Sequence, residues 1–188
     1  MTKLFALSGS LRKGSYNSAL LRAAQALAIP DLTIEIGTIA GVPLYDDDAR
    51  LASGIPDSVK ALKDGLAAAD GLLLATPEYN YGVPGVLKNA IDWMSRPPAD
   101  IDRVFDGKAA GIVGASTGGG GTRFAQVAWL PTLKGLGLHI HNGDWFAMGG
   151  AAKMFDAEGV LTDEASKKYL REYVEGLATF AAALKKGR

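Results

Sequence analysis

The run Gly71-Leu72-Leu73-Leu74-Ala75 carries no charge and ends in a turn. A short apolar run without alternation is what a central parallel strand, covered on both faces, requires. Such a strand implies helical crossovers and further strands of the same kind. The chain supplies both. Leu4–Leu7 reads as a strand, followed by a loop over 8–16 and a helix from about Asn17 to Ala28 that Pro30 ends. Leu32–Ile39 alternates apolar and polar positions, which predicts a more exposed edge strand. Ala40–Ile55 reads as a long polar loop carrying Asp46-Asp47-Asp48. Pro56 then opens a helix to Ala69, at a first-turn position where its missing N–H costs little. A helix predicted from about Pro84 to Met94 does not continue through Pro97-Pro98. Ala109–Ala115 is the fourth strand, Thr122–Leu136 a helix, and Leu138–His141 the start of a fifth strand. Asp163–Lys185 closes the chain as a helix with Thr162 as its expected N-cap; Ala165 three residues on leaves the capping box incomplete.

Five strands alternating with five helices in 188 residues predict one domain over 1–188. Its class is α/β: a flavodoxin-like, doubly wound, five-stranded parallel sheet of order 2-1-3-4-5 with helices on both faces, rather than a six-stranded dinucleotide fold. Twenty basic and twenty acidic residues cancel, so there is no electrostatic footprint for nucleic acid. The absence of cysteine excludes disulfides, thiolate nucleophiles and cysteine-bound metals. No apolar run approaches the ~18 residues of a membrane span, and the N-terminus enters a strand with no leader pattern. These features predict a cytoplasmic protein with no membrane partner.

The 24 glycines gather at predicted strand ends, which favours a site built from loops. In an open α/β sheet ligands bind beyond the carboxyl ends of the strands, so the loops after strands one, three and four carry the argument. The first, Ser8-Gly9-Ser10-Leu11-Arg12-Lys13-Gly14-Ser15-Tyr16-Asn17-Ser18, enters a helix N-terminus. Free amides and the helix dipole favour an anion there, and Arg12 adds a fork matched to phosphate oxygens. Neither a dinucleotide fingerprint nor a G-x-x-x-x-G-K-[ST] loop is present, so a terminal monophosphate suits these hydroxyls best. The plainer alternative is a shaped turn in which Asn17 caps the helix. The second loop, Thr76-Pro77-Glu78-Tyr79-Asn80-Tyr81-Gly82-Val83-Pro84-Gly85, is stiffened by two prolines and offers two broad aromatic faces. It suits a planar heterocycle, with backbone rather than the Glu78 side chain expected to matter; a rigid connector is the alternative. The third, Ser116-Thr117-Gly118-Gly119-Gly120-Gly121, lets backbone approach a ligand closely, although a glycine run alone fits a hinge nearly as well. Sheet order brings the three loops to one edge.

At this point the residues resemble the NADPH-dependent FMN reductase family of quinone, azo and chromate reductases. The resemblance rests on Gly9-Ser10-Leu11-Arg12 with Ser15 and Asn17, and on Thr76-Pro77-Glu78-Tyr79-Asn80-Tyr81 continuing through Pro84-Gly85-Val86-Leu87-Lys88-Asn89-Ala90-Ile91-Asp92-Trp93. It implies that Ser10, Arg12, Ser15, Asn17 and Ser18, beside Ser8, hold an FMN phosphate without a covalent bond. It implies that Pro77, Glu78, Tyr79, Asn80 and Tyr81 line the isoalloxazine, with Ser116, Gly118 and Gly119 across from them. No nicotinamide contact carries over from Thr122-Arg123-Phe124-Ala125-Gln126; Arg123 is open between an NADPH phosphate, plain surface and a subunit interface.

No nucleophile–base pair or metal cluster is evident. His139 and His141 share a strand face by their spacing but lack a third ligand, so the hard chemistry falls to a cofactor. Hydride passing from NADPH or NADH to the flavin, then on to a small acceptor at the same ring face, predicts ping-pong kinetics. The acceptor is a quinone, azo compound, metal oxyanion or free flavin. Leu87 and Ile91 form a helix stripe that Trp93 falls outside, so Trp93 either fills a gap or meets a second subunit; the family implies a homodimer or homotetramer. The competing class is a flavodoxin-type electron carrier, which is usually acidic, whereas this chain is neutral with Arg12 in its loop.

Overall fold

The structure is a computed structural model describing residues 1–143 and 145–187. In chain order it places β1 (Thr2–Ser8), α1 (Tyr16–Ala26), β2 (Leu32–Gly37), α2 (Asp47–Ser53), α3 (Asp57–Ala67), β3 (Gly71–Ala75) and α4 (Gly85–Met94). A 3-10 turn at Pro98–Asp100 leads into α5 (Ile101–Val104), β4 (Ala109–Ala115) and α6 (Arg123–Gly135). Then come β5 (His139–Ile140), β6 (Phe146–Met148) and α7 (Glu164–Lys186). All sheet pairings are parallel and the order is β2-β1-β3-β4-β5, as the strand pattern predicts.

Strand alternation divides the core in two. Leu4, Ala6, Leu73 and Ala75 pack beneath α1 and α7, while Phe5, Leu7, Leu72 and Leu74 pack beneath α3, α4 and α6. Leu72, Leu73 and Leu74 are fully buried, each contributing roughly 1.5–3 kcal/mol of transfer free energy.

Four sequence expectations are corrected. The loop 40–55 contains α2, because Asp46 caps it by accepting from the N–H groups of Asp48 (2.9 Å) and Ala49 (3.3 Å). Pro56 precedes α3 as its N-cap residue rather than sitting in its first turn. The cap of α7 is Asp163, which accepts from Ser166 N–H at 2.8 Å, and not Thr162. Finally, the fifth strand is split. β5 pairs with Ala109 and Ala110, and β6 with Val113 to Ala115. Asn142-Gly143, a turn dipeptide, lies in the gap. The Ile112 N–H left over by the break donates to the Tyr173 hydroxyl at 2.7 Å.

Trp93 is the gap-filler. It is 2% exposed, donates from Nε1 to the Pro43 carbonyl at 2.9 Å and meets Tyr45 edge-on at 4.9 Å. A side chain so enclosed within its own chain is unavailable to a second subunit.

Candidate active site

β1 delivers its loop into the N-terminus of α1, where Ser15 is the cap. Its hydroxyl accepts from Ser18 N–H (3.2 Å) and its carbonyl from Ala19 N–H (2.9 Å). The N–H groups of Tyr16 and Asn17 have no partner among the described residues, and the first turn holds no acid. The positive end of the helix is therefore open to an anion. Arg12 is exposed beside this mouth, its guanidinium 5.5 Å from the Tyr16 ring centroid. Ser18 donates its hydroxyl to Ser8 Oγ at 2.9 Å, and Ser10 Oγ accepts from Arg12 N–H at 3.4 Å, which folds the loop around the helix end. Asn17 does something else with its side chain. Its amide donates to the Ala115 carbonyl (2.9 Å) and accepts from the Ala115 N–H (3.0 Å), so it ties α1 to the end of β4. Only its backbone N–H remains at the helix mouth.

The second loop lies directly against the first. A Cβ on Gly9 would stand 2.8 Å from Pro77 Cδ and from Pro84 Cγ, so only glycine permits the approach. Gly9 N–H also donates to the Ala75 carbonyl at 2.8 Å. Beyond Pro77 the chain makes a tight turn. Tyr79 N–H donates to Gly82 O (3.2 Å) and Gly82 N–H to Tyr79 O (3.0 Å), with Asn80 (φ 51°) and Tyr81 (φ 62°) both left-handed. Left-handed tyrosine is uncommon and costs of order 1 kcal/mol or more, strain that clusters at ligand sites. The turn presents Tyr79 and Tyr81 to solvent, 53% and 78% exposed.

Glu78 departs from expectation, because its side chain is engaged through Oε2. The carboxylate accepts from the N–H groups of Phe124 (2.9 Å) and Ala125 (3.1 Å) and so caps α6, whose own N-cap residue, Thr122, makes no side-chain cap. Trp129 donates to Thr76 Oγ1 at 3.1 Å, and Tyr81 meets Phe124 edge-on at 5.6 Å. Thr76, Glu78 and Tyr81 thus bind the second loop to α6.

The third loop starts at Ser116, whose hydroxyl accepts from Gly118 N–H at 3.1 Å. The segment after β6, absent from the sequence reading, supports it. Ser116 N–H donates to Met148 O (2.9 Å), Ala151 N–H to Ser116 O (2.9 Å) and Gly150 N–H to Gly118 O (3.2 Å). The pair Gly149-Gly150 was the available signal. At Gly85, Gly119 and Gly120 no heavy atom lies within 4 Å of where a Cβ would stand. Bare backbone on two sides, exposed tyrosines between them and an anion seat at one end fit a flat cofactor with a terminal phosphate.

β5 ends at Ile140, so His141 does not share a strand with His139; it packs against Tyr173 (5.2 Å) and Phe180 (5.9 Å). No group of three or more potential metal ligands gathers among the described residues.

A flavodoxin-like sheet whose three carboxyl-end loops meet at one rim defines a flavin-type oxidoreductase scaffold. The model of the NADPH-dependent FMN reductase family matches residues 2–153. The chain is 44% identical over 183 residues to an NAD(P)H-dependent FMN reductase of Pseudomonas aeruginosa, covering 97% of each. It is 36% identical over 182 residues to a quinone reductase of Escherichia coli strain K12, covering 95% of each. The solved structure of FerB, a flavoenzyme NAD(P)H:(acceptor) oxidoreductase from Paracoccus denitrificans, superposes with a TM-score of 0.84 at 33% identity, over 99% of this chain and 98% of that one. The chain belongs to the NADPH-dependent FMN reductase family, and it is an enzyme of the NAD(P)H-dependent FMN and quinone reductase type.

Proposed function

We propose that residues 1–188 act as one domain that holds FMN without a covalent bond and serves NADPH or NADH and a small acceptor, quinones foremost, at one ring face. Ser10, Arg12, Ser15 and the amides of Tyr16 and Asn17 bind the phosphate, with Ser8 and Ser18 shaping the loop. Pro77, Tyr79, Asn80 and Tyr81 line one side of the ring and Ser116, Gly118 and Gly119 the other. Glu78 contributes by fixing the loop. Bound FMN supplies the capacity to take up a hydride and release the electrons to another molecule. The chain supplies orientation, backbone hydrogen bonds to the ring edge and an open approach for both substrates.

One observation carries this reading: Gly9 lies wedged against Pro77 and Pro84, so the anion seat and the aromatic turn form one continuous rim. Hydrogen bonds to a charged partner contribute roughly 1.5–3 kcal/mol each, a factor of ten or more. Protein freed of flavin therefore binds FMN at least tenfold more tightly than riboflavin, which lacks the phosphate. Equal affinities overturn the assignment. Parallel initial-rate lines are expected for nicotinamide against quinone; intersecting lines remove the shared face.

Quinones as acceptors agree with the names of the relatives. The acceptor range extends to azo compounds, metal oxyanions or free flavin. The exposed cluster of Tyr79, Tyr81, Phe124 and Val127 supports a homodimer or homotetramer with each flavin near a subunit boundary, and sedimentation as a monomer at micromolar concentration ends that part. The reading is of a cytoplasmic enzyme without membrane or nucleic-acid partner; no described helix is long and apolar enough to cross a membrane.

A further inference from the structure

The split in the fifth strand opens a second concavity. Where the chain leaves β4 between β5 and β6, a cavity of about 610 Å³ lies between α6 and α7, within the range that holds small organic ligands. Its lining shares no residue with the three loops of the flavin site. Ile112, Leu130 and Ile140 give it apolar walls, and the Trp145 indole, 56% exposed, stands at its opening.

Its polar groups are few and unlike one another. Gln126 is 4% exposed. Its Nε2 donates to Thr122 Oγ1 (3.1 Å) and to the Phe146 carbonyl (2.9 Å), which fixes the orientation of the amide. Its Oε1 has no partner among the described residues. Every fully buried side-chain nitrogen or oxygen among them does have one, so Oε1 keeps some accessible surface, on a residue that lines the cavity. Tyr173 is 8% exposed; its oxygen accepts from Ile112 N–H, which leaves its own proton to donate. Burial pushes the Tyr173 hydroxyl up to about 12, so that proton is retained, and burial lowers His141, which favours neutral imidazole. Lys134 is exposed at the rim, and no carboxylate lines the cavity among the described residues.

We propose that this cavity is a second binding site, for a flat hydroxyaromatic carboxylate. Its hydroxyl donates to Gln126 Oε1 and accepts from the Tyr173 O–H, its ring lies against Ile112, Leu130 and Trp145, and its carboxylate faces Lys134. An acceptor and a donor lining one cavity recognise a hydroxyl and disfavour an analogue lacking it, since both groups then stay unpaired. The site is independent of flavin binding.

Calorimetric titration of the flavin-loaded enzyme with 6-hydroxy-2-naphthoate tests it. The expected result is saturable uptake of one molecule per chain, at least tenfold weaker for 2-naphthoate. Lys134→Ala weakens the hydroxynaphthoate about tenfold but leaves neutral 2-naphthol unchanged, and quinone turnover is unaffected. No saturable heat up to about 1 mM ligand, equal binding of naphthoate and hydroxynaphthoate, or competition with quinone overturns the proposal. So does dissociation of an oligomer by Trp145→Arg in sedimentation, which would assign the cavity to a second copy of the chain.

Discussion

The Glu78 carboxylate accepts hydrogen bonds from the backbone of Phe124 at 2.9 Å and, one residue on, Ala125 at 3.1 Å. A side chain from the β3–α4 loop thereby caps a helix that begins after the glycine loop. The negative charge meets the positive end of α6, and the two loops proposed to flank the flavin are fixed to each other. Glu78→Ala is expected to cost about 1–2 kcal/mol of stability, as loss of a charged cap does. Glu78→Gln keeps one acceptor oxygen, and its loss should be about half as large. In both variants FMN affinity and the reduction potential of the bound flavin shift together with thermal stability. Normal flavin affinity and potential in a destabilised Glu78→Ala protein would confine the residue to the helix end.

Asn17 was expected at the phosphate, yet its amide exchanges two hydrogen bonds with Ala115, and it is 4% exposed. Asn17→Ala leaves the Ala115 N–H and C=O buried and unpaired, a cost of roughly 2–4 kcal/mol. Asn17→Asp cannot donate to the carbonyl and places a charge beside it, so it should be at least as damaging. Arg12→Ala, at an exposed position, should instead leave urea unfolding unchanged and weaken FMN about tenfold or more. Denaturant curves and flavin titrations on the same pair of variants separate the two roles.

How much of this was legible beforehand follows from the range of the interactions involved. β3 and β4 match their expected bounds residue for residue, because uncharged apolar runs of five and seven residues are too short for a buried helix. The clustering of Ser8, Ser10, Arg12, Ser15 and Ser18 at a helix mouth was equally local. The roles of Asn17 and Glu78 were not, since their partners lie 98 and 46 residues away. No spacing rule links an asparagine on α1 to the end of β4. The split of β5 from β6 had a local signal in Asn142-Gly143, but what makes the break tolerable is Tyr173, on the last helix. Trp93 followed the same logic: its place off the helix stripe was plain, while the Pro43 carbonyl that occupies it lies 50 residues away.

The turn at Asn80 and Tyr81 sets local strain against site geometry. Tyr81→Gly removes a left-handed tyrosine, a gain of about 1 kcal/mol, and loses the edge-on contact with Phe124, worth about 0.5–1.5 kcal/mol. The melting temperature should therefore hardly move. Turnover should fall several-fold, because one of the aromatic faces proposed to line the flavin has gone and the loop has been loosened. Tyr81→Val, which is β-branched in the same conformation, should lose both stability and turnover. A Tyr81→Gly protein as active as the parent would make the strained turn a structural accident.

Asp100 gives a dependence on pH that can be followed by unfolding alone. It accepts from Arg103 Nε at 2.6 Å and pairs with Lys63 Nζ at 2.8 Å, and Lys63, 5% exposed at its side chain, also donates to the Arg96 carbonyl. The Arg103 bond first, and Lys63 with it, hold the Asp100 carboxyl well below the usual carboxylate range. A carboxyl whose value is depressed on folding stabilises the fold above its unfolded value, near 4, and loses that contribution as pH falls toward the folded one. Asp100→Asn should therefore cost about 1–3 kcal/mol at pH 7, less than for a fully buried pair because Asp100 is a quarter exposed (26%). The difference between the two proteins should hold from pH 7 to about pH 5 and shrink steadily below about pH 4. Urea unfolding at stepped pH reads this directly. A gap that stays constant into acid would mean that Lys63 is stabilised by the Arg96 carbonyl alone and that Asp100 is held by Arg103 without consequence for the fold.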